Sequence, residues 1–255
     1  MKTLGMDIGS ITTKAAVMDD GKLLGTKVVF TGYNAEKAGQ RVMEELLNEL
    51  NLSSDSMDKI VSTGYGRNSV KIADKAITEI TCHAKGAHFL NPHIRSIIDI
   101  GGQDSKTIVI DETGKVKDFA MNDKCAAGTG RFLEVMARAL EVALDEFGDI
   151  SYSAEKPAKI SSLCTVFAES EVISLISKGE ERHNIIAGIH ESIAARVGAM
   201  AHRVGVKEPV MMTGGVAKNQ GVVRALEDKL GLSIEVSENA QENGAIGAAV
   251  LAAEL

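Results

Sequence analysis

Two short segments gather groups that bind phosphate. Residues 7–14 read DIGSITTK and residues 99–106 read DIGGQDSK. In both, a glycine stands two positions after an aspartate and a lysine closes the segment. Gly9, Gly101 and Gly102 let backbone amides approach an anion closely, and successive amides of such a turn form an anion-binding concavity. Ser10, Thr12, Thr13 and Lys14 add hydroxyl and ammonium donors. Asp7 and Asp99 are placed to hold a hydrated Mg²⁺, which takes one or two carboxylates plus phosphate oxygens. Gln103 and Asp104 are candidates to orient an attacking water or to cap the turn. A third glycine turn, TGGVAKN at 213–219, contributes Gly214, Gly215 and Lys218 between a predicted strand and a helix, where a nucleotide can dock. Asn243 flanks that side, and Glu134 is a candidate ribose contact or a surface charge. The chain has no GxxxxGK[ST], which excludes a P-loop. It also lacks a GxGxxG after the first strand, which argues against a dinucleotide site.

Cysteine chemistry is the second theme. Cys125 lies in NDKCAAGTGRF and Cys164 in SSLCTVFAESE, each just before an amphipathic stretch. A helix N-terminus stabilises a thiolate or an anionic cluster by roughly 0.3–1 kcal/mol. Two cysteines cannot complete a four-thiolate iron–sulfur site, although a symmetric dimer could. From position alone, both residues read first as small buried hydrophobes. Cys82, in EITCHAKG, reads as a buried small residue. His83, His88 and His93 fall about 140° apart on a helix and read as surface or core histidines rather than a metal site.

These residues need elements to hold them. Alternation predicts strands at 4–7, 13–18 and 23–30 in an antiparallel meander, then a helix over 35–50 and a strand over 58–63. The stretch 66–90 reads as a loop followed by a helix. The opening unit then recurs at a constant offset of 92 (99 − 7): Asp7, Gly9, Lys14, Val17 and Asp19 fall on Asp99, Gly101, Lys106, Val109 and Asp111. Two copies of one unit imply two similar domains facing each other. Further on, helices are expected at 131–144, 166–177, 183–204, 217–230 and 244–254, with strands at 158–161, 210–213 and 233–236.

Composition sets outer bounds. The 255 residues carry a net charge of −7, with 44% hydrophobic and 25% charged residues. This is a globular α/β composition with an acidic balance, which makes nucleic acid an unexpected partner. The best membrane-span candidate, 185–204, is interrupted by His190, Glu191, Arg196 and Arg203. The opening residues, MKTLGMDIGS, do not read as a secretory signal, so a cytoplasmic protein is expected.

Four motifs in this order resemble the actin, sugar kinase and heat-shock chaperone ATPase superfamily: DIGSITTK, DIGGQDSK, TGGVAKN and ENGAIGAA at 242–249. The resemblance implies two duplicated ribonuclease-H-like domains with ATP and Mg²⁺ in the cleft between them. The first would comprise residues 1–95 plus a returning helix in 241–255, and the second residues 96–240. Within that superfamily, NDKCAAGTGRF and SSLCTVFAESE resemble the activators of 2-hydroxyacyl-CoA dehydratases and the related benzoyl-CoA reductase ATPase subunits. The resemblance implies a homodimer bridged by one oxygen-sensitive 4Fe-4S cluster on Cys125 and Cys164 of each subunit. It implies an electron taken from ferredoxin or flavodoxin and passed, with ATP hydrolysis, to the dehydratase. A small-molecule kinase of the same fold is the alternative. It would need an acceptor-hydroxyl base such as Asp99 or Asp104, and neither cysteine.

Overall fold

The computed structural model describes residues 1–161 and 164–255. It opens with strands β1 (Lys2–Ile8), β2 (Thr12–Asp19) and β3 (Lys22–Phe30), paired antiparallel as expected. Helix α1 (Ala35–Glu49) starts where the Asn34 side chain accepts from the Lys37 amide at 3.0 Å. Its buried stripe, Ala38, Val42, Met43, Leu46 and Leu47, covers one face of the sheet. Strand β4 (Lys59–Thr63), the two-residue β5 (Lys75–Ala76) and helix α2 (Glu79–Leu90) complete the first half. The first sheet has the order β3-β2-β1-β4-β5.

The same order recurs. Strands β6 (Ser96–Ile100), β7 (Ser105–Ile110), β8 (Val116–Asn122), β9 (Val210–Thr213) and β10 (Ile234–Val236) form a sheet that runs β10-β9-β6-β7-β8. The copies agree to the residue: Asp7 faces Lys14 across β1–β2, and Asp99 faces Lys106 across β6–β7. The duplication extends beyond the sequence repeat. Asp7 lies beside Thr63 of β4, and Asp99 beside Thr213 of β9. The fold is thus the duplicated, actin-like α/β arrangement that the motifs implied.

Between β8 and β9 run helices α3 (Gly130–Ala139), α4 (Phe147–Ile150), α5 (Thr165–Ser177) and α6 (Arg182–Val204); α7 (Gln220–Leu230) and α8 (Asn243–Ala252) follow. Three expectations need correction. The helix expected over 131–144 stops at Ala139, because Glu141 takes a left-handed φ of 54° and the chain turns before α4. Residues 158–161 form no strand; the Ala158 amide is held by the Asn184 carbonyl, and the Ser161 amide by the Glu171 carboxylate. Residues 215–218 form a 3-10 turn, so the helix expected from 217 starts at Gln220, where Asn219 caps it.

Helix α8 is built of small residues because its neighbours leave no room. A Cβ on Gly5 would stand 2.0 Å from the Ala245 carbonyl oxygen, and one on Gly247 would stand 1.8 Å from that of Cys82. These two glycines let α8 lie directly between β1 and α2. Among the described residues, no helix is long and apolar enough to cross a membrane.

Candidate functional site

The two hairpin turns are built alike. The Gly9 amide donates to the Thr12 carbonyl at 3.1 Å, and the Gly101 amide to the Asp104 carbonyl at 2.9 Å. Opposite each turn, a Thr-Gly pair ends a parallel strand. Gly64 and Gly214 take φ of 83° and 86°, and a Cβ there would meet Asp7 Oδ1 at 2.4 Å and Asp99 Oδ1 at 3.0 Å. Glycine is required at both, since the backbone is left-handed and the carboxylate is packed against it. The turns touch through Ile11, which lies against Gly102.

Together they line a cavity of about 560 Å³, within the usual range for a small-molecule site. Asp7, Gly9, Ser10, Thr12 and Lys14 line it from the first half; Asp99, Gly101, Gly102, Asp104, Glu134, Gly214, Gly215 and Lys218 line it from the second. Three expected residues fall outside that lining. Thr13 is buried, and its hydroxyl pairs with that of Thr31 at 2.9 Å. Gln103 is exposed. Asn243 is fully buried, and its amide nitrogen reaches the His83 carbonyl oxygen at 3.0 Å. Glu134 lines the cavity and also pairs with Arg131 at 2.9 Å.

The cavity floor holds groups that motif reading passed over. Lys106 is buried, with its ammonium 3.0 Å from Asp99, 2.6 Å from Asp104 and 3.3 Å from Glu79. Its contact with Asp104 Oδ2 is an ion pair without hydrogen-bond alignment. Burial pulls the Lys106 pKa down, but the three carboxylates outweigh it and hold the ammonium above the usual lysine range. Asp99 is engaged through both oxygens: Oδ1 accepts from Thr213 at 2.7 Å and lies 3.2 Å from His83 Nδ1, and Oδ2 accepts from Lys106. Burial would raise its pKa; the charges of His83 and Lys106 and these hydrogen bonds overcome that and hold it below the usual carboxylate range. For Glu79 and Asp104 burial prevails over the attraction of Lys106, and both carboxyls are pushed up. Asp7 is less enclosed, with Oδ2 3.2 Å from Lys14. A hydrated cation at the cleft therefore fits Asp7 better than Asp99, whose oxygens already have partners.

His83 reads as an ordinary histidine in the sequence because nothing near it in the chain is a partner. The fold brings α2 against β6, β7 and β8 and places His83 on Asp99, with Nδ1 3.2 Å from Oδ1. Glu79 is one helical turn earlier on the same face.

The cysteines divide by environment. Cys82 is fully buried, and burial pushes its thiol up to about 12, so it is unsuited to metal ligation. Cys125 is half-buried in the loop before α3. Cys164 is exposed at the N-cap of α5, and its side chain makes no capping bond. Ser162 and Leu163 of the same motif lie outside the described residues. Helices α3 and α5 pack together; Cys125 lies in the loop before the one and Cys164 at the N-cap of the other. That suits half of a four-thiolate set. Among the described residues of a single chain, no group of three or more His, Cys, Asp or Glu side chains could hold a metal.

The Cys125 loop is tied to the second turn. The Gly130 amide donates to the Gly101 carbonyl at 2.9 Å, and the Arg131 amide to the Gly102 carbonyl at 2.8 Å.

Residues 4–252 match the model of the BadF/BadG/BcrA/BcrD ATPase family. The activator of lactoyl-CoA dehydratase from Anaerotignum propionicum is 51% identical over 255 residues, covering 100% of this chain and 98% of that protein. The crystal structure of the (R)-2-hydroxyglutaryl-CoA dehydratase component A from Acidaminococcus fermentans superposes with a TM-score of 0.96 at 48% identity, covering 100% of this chain and 98% of that one. The activator of the 2-hydroxyisocaproyl-CoA dehydratase from Clostridium difficile, solved with bound ADPNP, gives 0.94 at 45% identity, covering 100% and 95%.

Proposed function

The chain belongs to the BadF/BadG/BcrA/BcrD ATPase family, and on that premise we propose that it is the ATP-driven activator of a 2-hydroxyacyl-CoA dehydratase. Its relatives carry that role in their names. It acts in the cytoplasm as a homodimer, with a 4Fe-4S cluster held by Cys125 and Cys164 of each subunit. A ferredoxin or flavodoxin supplies the electron. The bound cluster supplies low-potential one-electron chemistry. The rest is work for the chain's own residues.

The two glycine turns, Ser10, Thr12 and Lys14 receive the phosphates of ATP, with Mg²⁺ held on the Asp7 side. Asp99 and Lys106 form a fixed ion pair beneath it. Glu79 or Asp104 takes the proton of the attacking water, since a carboxyl pushed up by burial is suited to accept one. Gly214, Gly215 and Lys218 face the nucleoside. Nucleotide can drive a conformational change only by binding two states with different affinity.

The observation that carries the reading is the pair of backbone bonds from Gly130 and Arg131 to Gly101 and Gly102. They join the phosphate turn to the first residues of α3, the helix that follows the Cys125 loop, and so offer a path by which hydrolysis would reach the thiols. A kinase of the same fold would need neither cysteine. The test is iron and acid-labile sulfide in protein purified without oxygen, beside a Cys125→Ser/Cys164→Ser variant. About two iron atoms per subunit, lost in the variant, is expected for one shared four-iron site. Wild-type protein without iron but with intact ATPase activity would leave the kinase reading.

A further inference from the structure

Arg196 lies in the middle of α6, far in sequence from either cysteine, and no motif marks it. Its guanidinium Nη1 nevertheless donates to Cys125 Sγ at 3.7 Å. A second feature keeps it there. Gly128, three residues after Cys125, has φ of +88°, and a Cβ on it would stand 2.8 Å from Arg196 Cδ. The Cys125 loop is thus shaped so that the arginine stem passes directly beneath it. The loop is also closed on itself, because Asn122 Nδ2 donates to the Cys125 carbonyl at 2.8 Å and the Cys125 amide donates to Asn122 Oδ1 at 3.3 Å. The backbone that carries the sulfur is therefore held in place before any ligand arrives.

An arginine stays charged at any working pH and presents its N–H groups in a rigid plane. A permanent cation donating to a ligating sulfur withdraws electron density from it. It favours the state of the site that carries one more negative charge. Hydrogen bonds to sulfur are among the established controls of iron–sulfur potentials.

We propose that Arg196 is a positioning residue that sets the reduction potential of the cluster through its bond to Cys125, making the site easier to load with an electron. The proposal rests on the cluster reading given under Proposed function. One electron enters, from a low-potential one-electron carrier, and no proton or group moves with it. The other thiol, Cys164, is exposed at the head of α5.

The experiment is an anaerobic redox titration of the iron-loaded dimer, followed by electron paramagnetic resonance, with dithionite as reductant. Wild type is compared with Arg196→Gln and Arg196→Lys, and iron is counted in each. With full iron in all three, the reduced-to-oxidised ratio at a fixed potential should fall about tenfold in Arg196→Gln, which is ~59 mV for a one-electron couple. Arg196→Lys keeps the charge but loses the planar donor, and should lie between. Full iron with an unchanged midpoint in Arg196→Gln would overturn the proposal. Folded variants that both lose their iron would overturn it too, since the arginine would then serve assembly rather than potential. Wild type without iron would instead remove the cluster reading beneath it.

Discussion

Asp99 and Lys106 face each other across the β6–β7 hairpin, with Oδ2 and Nζ 3.0 Å apart and both side chains only 2% exposed. The same register sets Asp7 opposite Lys14 at 3.2 Å, in a more open setting. The copies have diverged in what surrounds the pair. Around Lys106 the fold has added Asp104 and Glu79. Among the described residues, Lys14 pairs with Asp7 alone.

That asymmetry gives a first prediction. Lys106→Met leaves the buried Asp99 and Asp104 and the partly buried Glu79 without this cation, and breaking a buried pair from one side costs about 3–5 kcal/mol. Lys14→Met leaves Asp7 nearer to water and should cost less. Urea unfolding of the nucleotide-free protein measures both. Equal losses would show that the buried carboxylates do not depend on the ammonium.

A second prediction concerns hydrolysis. Glu79→Gln keeps the shape of the side chain but removes the base. ATP turnover should drop by about 10²–10⁴ if Glu79 is the proton acceptor, with nucleotide affinity little changed. Since burial raises the Glu79 pKa, wild-type turnover should fall on acidification at a pH above the ordinary glutamate range. Gln103 is exposed and outside the cavity lining, so Gln103→Ala should leave turnover in place. Full activity in Glu79→Gln with loss in Asp104→Asn would move the role to Asp104.

A third prediction follows from His190. It is 2% exposed, packs edge-on to Phe147 at 5.5 Å, and is pushed down to about 4 by burial. Asn219 Oδ1 caps α7 by accepting from the Val222 amide, which turns its Nδ2 toward His190 Nε2. Between about pH 4 and 6.5 the unfolded chain binds this proton and the folded one does not. Stability therefore rises with pH across that window, by ~3 kcal/mol at 1.36 kcal/mol per pKa unit. His190→Phe should be less stable near neutral pH yet show a flatter profile from pH 4 to 6.5, read by thermal unfolding. An unchanged slope would mean that other groups set it.

The first strands, the duplication and both phosphate turns were legible because they are local: glycine turns and alternation are written in consecutive residues. The lining residues Asp7, Gly9, Lys14, Asp99, Gly101 and Lys218 came from those turns. Glu79, His83 and Lys106 were not singled out as site residues, because their meaning depends on α2 crossing beneath β6. One signal was available. The Thr-Gly of STGYG at 62–66 matches that of TGGVAKN at 213–219, and would have extended the repeat to β4 and β9. The end of α3 at Ala139 was missed for a different reason. Residues 140–144 continue a helical pattern, and only the left-handed Glu141 breaks it.

The last prediction tests the assembly. Helix α5 buries Ala168 and Val172 but leaves Val166, Phe167, Ile173 and Ile176 exposed, with Phe167 at 68%. Four large apolar side chains on one short helix form a patch of the kind that marks an interface. Cys164 caps the same helix, so a second copy seated on this face would bring four thiols together. Phe167→Glu with Ile173→Lys places charges in the patch while leaving the buried Ala168 and Val172 untouched. Sedimentation of the anaerobic protein should then shift from a dimer toward the 27.0 kDa monomer. Bound iron should fall with it, because each chain alone offers half the ligands. ATP turnover should persist, since the cavity between the two sheets lies within one chain. A variant that stays dimeric with its iron would place the subunit contact on another face.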